Sequence, residues 1–177
     1  GWGVVMSLAG SLPYEFGTSW ELSAVPMFLL MGALAYRSGL TDPLFQALRM
    51  WLRGLPGGLA VATNFACAIF AAACGSSVAT TVAMGRIAIP EMLKSGYNPG
   101  LAAAVCACAG TLGSMIPPSV MMILYGAFTG QSVAAIFLAG VLPGLLTAAV
   151  YAVMIVTRAM IDPTLAPMGN EFYTSRE

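Results

Sequence analysis

The chain is poor in charge and contains no histidine. Only 8% of its 177 residues are charged, with seven basic and seven acidic residues, whereas 59% are hydrophobic. A soluble domain carries about 25% charged residues, so this composition is typical of an integral membrane protein. The net charge is zero, so nothing in the composition suggests nucleic acid, and it is not expected as a partner. The absence of histidine removes the commonest general base and metal ligand.

The cysteines do not form a metal-binding pattern. Cys67, Cys74, Cys106 and Cys108 all lie in apolar stretches, and no C-x-x-C pair occurs among them. Two of them are only two residues apart, so on a helix they would point in different directions. We interpret all four as small apolar packing residues. No metal site is expected from them, and no cofactor.

The chain begins with Gly1 rather than methionine, and residues 1–12 are similar to the tail of an apolar helix. We therefore expect a fragment or a processed piece, without a visible signal peptide. The apolar segments that follow predict an all-α integral membrane fold. We divide the chain into three parts: residues 1–55 with a truncated helix, a scaffold transmembrane helix and an amphipathic arm helix; residues 56–160 as one half of a transport domain; and residues 161–177 as a polar linker.

The first 55 residues combine a polar loop, one apolar span and one amphipathic helix. Residues 13–21 are rich in polar and turn-forming residues and predict the loop, whereas residues 22–36 are apolar throughout. In residues 43–55 the apolar side chains recur at helical spacing, which favours a helix lying in the lipid headgroup plane. An ordinary connector between helices remains the alternative. Trp51 and the neighbouring arginines are the expected interface anchors.

Two polar interruptions divide the long apolar segments of residues 56–160. The first, Gly75-Ser76-Ser77, lies in the middle of residues 57–94 and is followed by Thr80 and Thr81. In lipid an unpaired backbone carbonyl costs several kcal/mol, so broken backbone persists there only against protein or a lined cavity. We predict a re-entrant helical hairpin with its tip near the bilayer midplane. Two full spans joined by a minimal turn are the alternative.

The second interruption lies in the next helix. This helix is predicted over residues 99–129 with Asn98 as its N-cap, and Pro117-Pro118 break it before Ser119. A last helix is predicted over residues 132–160, with a kink at Pro143. With this topology five basic residues fall on one side of the membrane, which is the cytoplasmic side by the positive-inside tendency. They are Arg37, Arg49, Arg53, Lys94 and Arg158.

The chemistry of the interruptions suits a hard cation. At a hairpin tip the last carbonyls of one arm and the first amides of the other lack helical partners. Backbone carbonyls with Ser and Thr hydroxyls can surround Na⁺, and a helix N-terminus attracts a carboxylate. Neither interruption contains an acidic residue, so binding would rely on neutral oxygens. Helix packing alone remains an alternative explanation for both.

Residues 20–160 contain an ordered set of short motifs. The motifs are Pro26-Met27-Phe28-Leu29-Leu30-Met31-Gly32, Leu55-Pro56-Gly57-Gly58-Leu59-Ala60, Gly75-Ser76-Ser77-Val78-Ala79-Thr80, Met84-Gly85-Arg86-Ile87-Ala88-Ile89-Pro90-Glu91-Met92, Gly96-Tyr97-Asn98-Pro99, Gly110-Thr111-Leu112-Gly113, Ile116-Pro117-Pro118-Ser119 and Phe137-Leu138-Ala139-Gly140-Val141-Leu142-Pro143-Gly144. In this order they resemble the large membrane subunit of TRAP transporters, the DctM family of tripartite ATP-independent periplasmic transporters.

The resemblance implies an elevator-type secondary transporter in a bacterial inner membrane. It implies Na⁺-driven uptake of a small carboxylate, a periplasmic substrate-binding protein and a small membrane subunit as partners. Only the first of two inverted repeats is present, so the chain alone is expected not to transport. The Na⁺-binding residues implied are Gly75, Ser76, Ser77, Gly110, Thr111, Pro117 and Ser119. The predicted substrate-binding residues are Ser77, Thr80, Arg86 and Pro118.

The sequence is less typical of other functions. An intramembrane serine enzyme is disfavoured because a serine nucleophile needs an activating base, and we expect no enzyme. A structural membrane subunit without an ion site and a different Na⁺-coupled carboxylate carrier both remain alternatives. Arg86 either extends to the membrane interface or lies near the path of an anionic substrate. No metal other than Na⁺ is expected.

Overall fold

The structure, a computed structural model, describes residues 2–18 and 20–167. In those ranges the chain forms helices and turns without a strand. The helices are α1 (Trp2–Thr18), α2 (Trp20–Arg37), α3 (Thr41–Leu52), α4 (Gly58–Cys74), α5 (Ser77–Lys94), α6 (Pro99–Gly110), α7 (Leu112–Met115), α8 (Val120–Thr129) and α9 (Val133–Ile161).

Two helical stretches in the described part are long and apolar enough to cross a membrane. They are Pro99–Thr129, which contains α6 to α8, and Val133–Ile161. The stretch formed by Leu22–Arg37 and Thr41–Leu52 qualifies as a third, although the two helices meet at 67°. These findings confirm the predicted all-α membrane fold. The depth of the hairpin and the sidedness of the basic residues stay predictions.

The polar segment at residues 13–21 is helical where the structure describes it, so the predicted loop is wrong. α1 continues to Thr18, and α2 already begins at Trp20. The Thr18 hydroxyl donates to the Tyr14 carbonyl at 2.8 Å. A hydroxyl can satisfy its hydrogen-bonding capacity within a helix by donating to the carbonyl one turn back. The polar composition of this segment therefore did not predict a loop correctly. Of the predicted linker, residues 168–177 lie outside the described residues.

Helix α4 lies at the centre of the bundle. Its small residues, among them Ala60, Ala66 and Ala71, are fully buried, which lets neighbouring helices approach closely. The N-terminal turn of α4 is held by a contact with the segment that follows α5, the other arm of the hairpin. The buried Tyr97 hydroxyl, just beyond α5, accepts a hydrogen bond from the Leu59 amide at 3.3 Å. Burial raises the pKa of the Tyr97 phenol, so it stays neutral in this contact.

Helix α3 packs against the open end of the hairpin. Phe45 is buried in the same core as the hairpin arms, whereas Trp51 is 87% exposed, as an interface anchor would be. Arg49 forms an ion pair with Glu91 of α5, and Lys94 approaches the same carboxylate at 4.0 Å. Because Arg49 faces a protein carboxylate, it does not act only as an interface anchor. α3 ends at Leu52, three residues earlier than predicted.

Helix α9 packs against the broken helix through small residues. It is helical from Val133 to Ile161, with Pro143 inside it. A Cβ at residue 140 would lie 3.0 Å from the Met115 carbonyl oxygen, and one at residue 144 would lie 2.9 Å from the Ile116 side chain. Glycine at both positions therefore lets α9 support the segment where the preceding helix breaks.

Candidate functional site at the hairpin tip and the broken helix

The two polar interruptions are in direct contact. The carbonyl of Gly75, between α4 and α5, accepts a hydrogen bond from the Val120 amide at the start of α8, at 3.0 Å. On the other side of the tip, a Cβ at residue 113 would lie 2.8 Å from the Ser76 carbonyl oxygen. The tip is thus enclosed between α7 and α8, and the sequence elements predicted to share one site do lie together.

Gly75 makes this approach sterically possible. It ends α4 in a left-handed conformation, with φ of 65° and its amide bonded to the Ala71 carbonyl. A Cβ at this position would lie 2.8 Å from the Pro118 carbonyl oxygen. Both the positive φ and the close carbonyl therefore require glycine.

The hydroxyl groups of the tip have different roles. Ser76 is the N-cap of α5, and its Oγ accepts from the Ala79 amide at 3.4 Å. Thr80, fully buried, and Thr81 each donate their hydroxyl to a carbonyl four residues back, at Ser76 and Ser77 respectively. The half-buried Ser77 hydroxyl makes no hydrogen bond to the part of the chain that the structure describes. Ser77 Oγ is therefore the tip oxygen with the most free coordinating capacity.

The broken helix offers carbonyl oxygens. Its axis bends by 39° near residues 116–119, and the Pro117–Pro118 peptide bond is cis. Proline has no amide hydrogen, so Pro117 deprives the Gly113 carbonyl and Pro118 the Ser114 carbonyl of a helical donor. The fully buried Ser119 replaces the donor that is missing at the Ser114 carbonyl, since its own hydroxyl donates to that carbonyl at 2.9 Å. The Gly113 carbonyl has no such replacement within the described residues.

Residues 75–81 and 110–120 contain no charged side chain. The Thr111 hydroxyl bonds back to the Cys108 carbonyl at 2.6 Å, and Gly110 packs against Thr81. The contact region is thus lined by neutral oxygen groups, which suit a hard monovalent cation better than a transition metal.

Comparison with known proteins identifies the family. The sequence matches the family described as tripartite ATP-independent periplasmic transporter, DctM component, over residues 11–171. The chain belongs to this family. Members are TRAP transporter permeases rather than enzymes, so the expectation that the chain is not an enzyme is confirmed.

Curated relatives are similar over most of this chain. The C4-dicarboxylate TRAP transporter large permease protein DctM of Pseudomonas aeruginosa is 44% identical over 151 residues, covering 85% of this chain and 35% of the relative. The isethionate TRAP transporter permease protein DctMQ of Oleidesulfovibrio alaskensis is 39% identical, covering 78% and 23%. The ectoine TRAP transporter large permease protein TeaC of Halomonas elongata is 36% identical, covering 80% and 33%. The chain thus spans about a third or less of the length of these relatives.

Arg86 is not brought to the contact region of this TRAP permease chain. It is exposed on α5, nine residues after Ser77, which corresponds to roughly 14 Å along the helix axis. It forms no ion pair with the described residues. Its assignment to the substrate path stays a prediction, and the structure separates it from the other predicted site residues.

Asn64 was not among the functional residues predicted from the sequence. This residue of α4 is fully buried, and its side-chain amide donates to the Ala148 carbonyl of α9 at 2.8 Å. The available signal was a lone amide within residues 57–74, whose other side chains, apart from Thr63, are apolar. The bond joins residues 84 positions apart, so it fixes the first hairpin arm against the helix that supports the break.

Proposed function

We propose that this chain forms part of the permease of a Na⁺-coupled secondary transporter that takes up small organic acids in the bacterial inner membrane. The observation that supports this function most directly is the contact between two neutral, oxygen-rich interruptions in apolar helices. In a membrane, irregular backbone of this kind occurs where it packs against protein or lines a cavity, and transporters use such breaks to coordinate ions and substrates.

The proposed Na⁺ ligands follow from which oxygens are uncommitted. Ser77 Oγ has no hydrogen-bond partner among the described residues, and the Gly113 carbonyl lacks a helical donor. The Ser76–Ser77 peptide lies against Gly113, so these two oxygens belong to neighbouring backbone segments. Gly75, Gly110, Thr111, Pro117 and Ser119 hold these segments in place. In this proposal these five residues support the site and do not coordinate the ion directly.

The carboxylate of a substrate would be attracted to the N-terminus of α5. This helix has 18 residues, and its first turn contains amides without intrahelical partners and a partial positive charge. Ser77 lies in that turn, and Thr80 and Pro118 border the tip. The varied names of the relatives, which include dicarboxylate, isethionate and ectoine, support a small polar solute as the general substrate class. A carboxylate remains our specific proposal.

The complete transporter is proposed to include a small membrane subunit and a periplasmic substrate-binding protein. The name of one relative, DctMQ, supports a two-component membrane part. Movement of the hairpin and broken helix together, as in an elevator mechanism, is consistent with their direct contact.

The test is Na⁺-dependent uptake of succinate, as the probe dicarboxylate, by the complete transporter in liposomes with its binding protein. Ser77→Ala is expected to raise the Na⁺ concentration for half-maximal uptake about tenfold, because a hydrogen-bonding or coordinating oxygen is lost. Ser76→Ala is the matched control, since the Ser76 hydroxyl is committed to capping α5. An unchanged Na⁺ dependence in the folded Ser77→Ala transporter would reduce this contact to helix packing.

A further inference from the structure

One side of α5 is left uncovered by the rest of the described chain. The exposed residues on it are Val78, Val82, Arg86, Pro90 and Leu93. They are three or four positions apart, so they form one continuous stripe along the helix, which we call the outer face of α5. Its large apolar side chains are well exposed, with fractions of 72% for Val78, 49% for Val82 and 44% for Leu93. Arg86 is the one charged residue among the five.

Arg86 lies in the middle of the outer face and has no partner there. It is nine residues after Ser77 and eight before Lys94, the two ends of α5, so both ends are at least roughly 12 Å away along the axis. It forms no ion pair with any residue that the structure describes. Side chains on a helix lean toward its N-terminus. The guanidinium is therefore directed toward the hairpin tip, away from the lipid headgroups on the side predicted for Lys94.

A backbone acceptor on the outer face has also lost its usual donor. Pro90 lies inside α5 and has no amide hydrogen, so it cannot donate to the Arg86 carbonyl four residues earlier. No backbone hydrogen bond from another part of the described chain reaches this carbonyl. In a bilayer, groups freed by a proline are satisfied by neighbouring helices or by water. The cation and the carbonyl thus both indicate that the outer face is not turned toward lipid tails.

The mixture of apolar area and a single charge indicates what covers the outer face. A water-filled path would leave Val78, Val82 and Leu93 in contact with water, which is unfavourable. Lipid tails would leave Arg86 unpaired, whereas charged side chains within a membrane pair inside a helix bundle. An apolar helix with one carboxylate satisfies both requirements, since it covers the apolar side chains and neutralises the guanidinium.

We propose that the outer face of α5 docks a transmembrane helix from the remainder of the permease, and that this helix presents an aspartate or glutamate to Arg86. The chain spans about a third or less of the length of its curated relatives, so a permease of their length contains further segments that can supply the helix. A guanidinium and a carboxylate form the bidentate pair that is preferred at buried interfaces. The inference rests on placing α5 in the membrane and does not depend on the proposed Na⁺ ligands.

Photocrosslinking identifies what covers the outer face. The crosslinking amino acid p-benzoylphenylalanine replaces Val82, and separately Leu93, in the full permease in nanodiscs that contain phosphatidylcholine and phosphatidylglycerol. Adducts are identified by mass spectrometry after illumination. We expect a crosslink to a permease peptide outside residues 1–177 that contains an aspartate or glutamate. The same amino acid at Trp51, which is 87% exposed and predicted to lie at the membrane interface, is the control for lipid adducts.

Substitutions then test the ion pair. Arg86→Gln is expected to lower the melting temperature of the substrate-free permease by about 5 °C or more, because the partner carboxylate stays buried without a counter-charge. Arg53→Gln is the matched control, since Arg53 is exposed and also forms no ion pair with the described residues, and no shift is expected. Arg86→Glu should destabilise more than Arg86→Gln. Replacing the crosslinked acidic residue by arginine in that variant should restore at least half of the lost melting temperature.

Each other outcome overturns the proposal. Lipid adducts at Val82 and Leu93 would show that the outer face meets the bilayer, and no adduct at either position, with Trp51 labelled normally, would show that it borders water. A crosslinked peptide without an acidic residue, or no rescue by the charge exchange, would contradict the pairing of Arg86. An unchanged melting temperature of Arg86→Gln, together with a raised succinate concentration for half-maximal uptake, would place Arg86 on the substrate path instead.

Discussion

The two ends of the hairpin are held by different means. At the tip, the contacts are between backbone groups: the Gly75 carbonyl bonds to the Val120 amide, and Gly113 lies against the Ser76–Ser77 peptide. At the open end, side chains make the contacts: the Tyr97 hydroxyl bonds to Leu59, and Arg49 pairs with Glu91. The tip depends on the absence of side chains, whereas the open end depends on their presence. Substitutions of the tip glycines should therefore destabilise the protein more than substitutions at the open end.

The largest expected effect is that of Gly75→Ala. A left-handed conformation costs a non-glycine residue about 1–2 kcal/mol, and forcing a methyl group against the Pro118 carbonyl adds about 1–3 kcal/mol. The melting temperature of the full permease, followed by tryptophan fluorescence, should fall clearly. Gly85→Ala is the matched control within α5, where the nearest atom to a new Cβ is 3.7 Å away, and it should preserve or slightly raise stability. Equal effects of the two variants would contradict the steric argument.

Tyr97→Phe is expected to have a smaller effect, at the open end. It removes the acceptor of a buried amide in the first turn of α4, which costs about 1–2 kcal/mol. Tyr125→Phe provides the comparison, because Tyr125 is 60% exposed. The measurement is again the shift in melting temperature. If the two phenylalanine variants are equally stable, Tyr97 does not hold the hairpin arms together.

Ser76→Ala tests a side-chain contribution at the tip, the cap of α5. Loss of an N-cap typically destabilises by about 0.5–2 kcal/mol, and the long 3.4 Å bond places this case at the low end. Ser77→Ala should leave stability unchanged, since its hydroxyl has no partner among the described residues. Thermal unfolding of both variants in the absence of Na⁺ checks this difference, and a larger loss for Ser77→Ala would reverse the assignment of the two hydroxyls.

Glu91→Gln should have the smallest effect. Side chains of Arg49 and Glu91 are 39% and 28% exposed, and ion pairs that solvent reaches typically contribute about 0–1 kcal/mol. A double-mutant cycle with Arg49→Gln should give a coupling energy in that range, which decreases as salt is added. A coupling that does not change with salt would indicate that the pair is shielded from solvent.

Local residue chemistry predicted the breaks well. Gly75 and Pro117 act on their own turn of the chain, and Asn98 caps α6 through its immediate neighbours, with its side chain accepting from the Gly100 amide at 2.8 Å. These features depend on conformations that glycine and proline impose or on hydrogen bonds over two or three residues. Their positions in the structure accordingly agree with the sequence.

Contacts between distant residues could not be predicted in this way. The pairing of Arg49 with Glu91 joins positions 42 apart, and nothing in either segment specifies it. The same is true of Asn64 and Ala148. The different roles of the Ser76 and Ser77 hydroxyls could not be predicted either. Adjacent serines are alike in sequence, and only the structure shows which one lies at the cap of α5. Family membership, in contrast, was readable from the ordered motifs and is confirmed.

The hydrogen bond from the Val120 amide to the Gly75 carbonyl provides a natural reporter of tip position. An amide hydrogen exchanges with solvent deuterium only when its hydrogen bond opens. The exchange rate at Val120 thus measures how often the hairpin tip separates from α8, without any introduced label. If the hairpin and the broken helix travel as one body, this amide stays protected throughout a transport cycle, even while the surfaces around it become accessible to water.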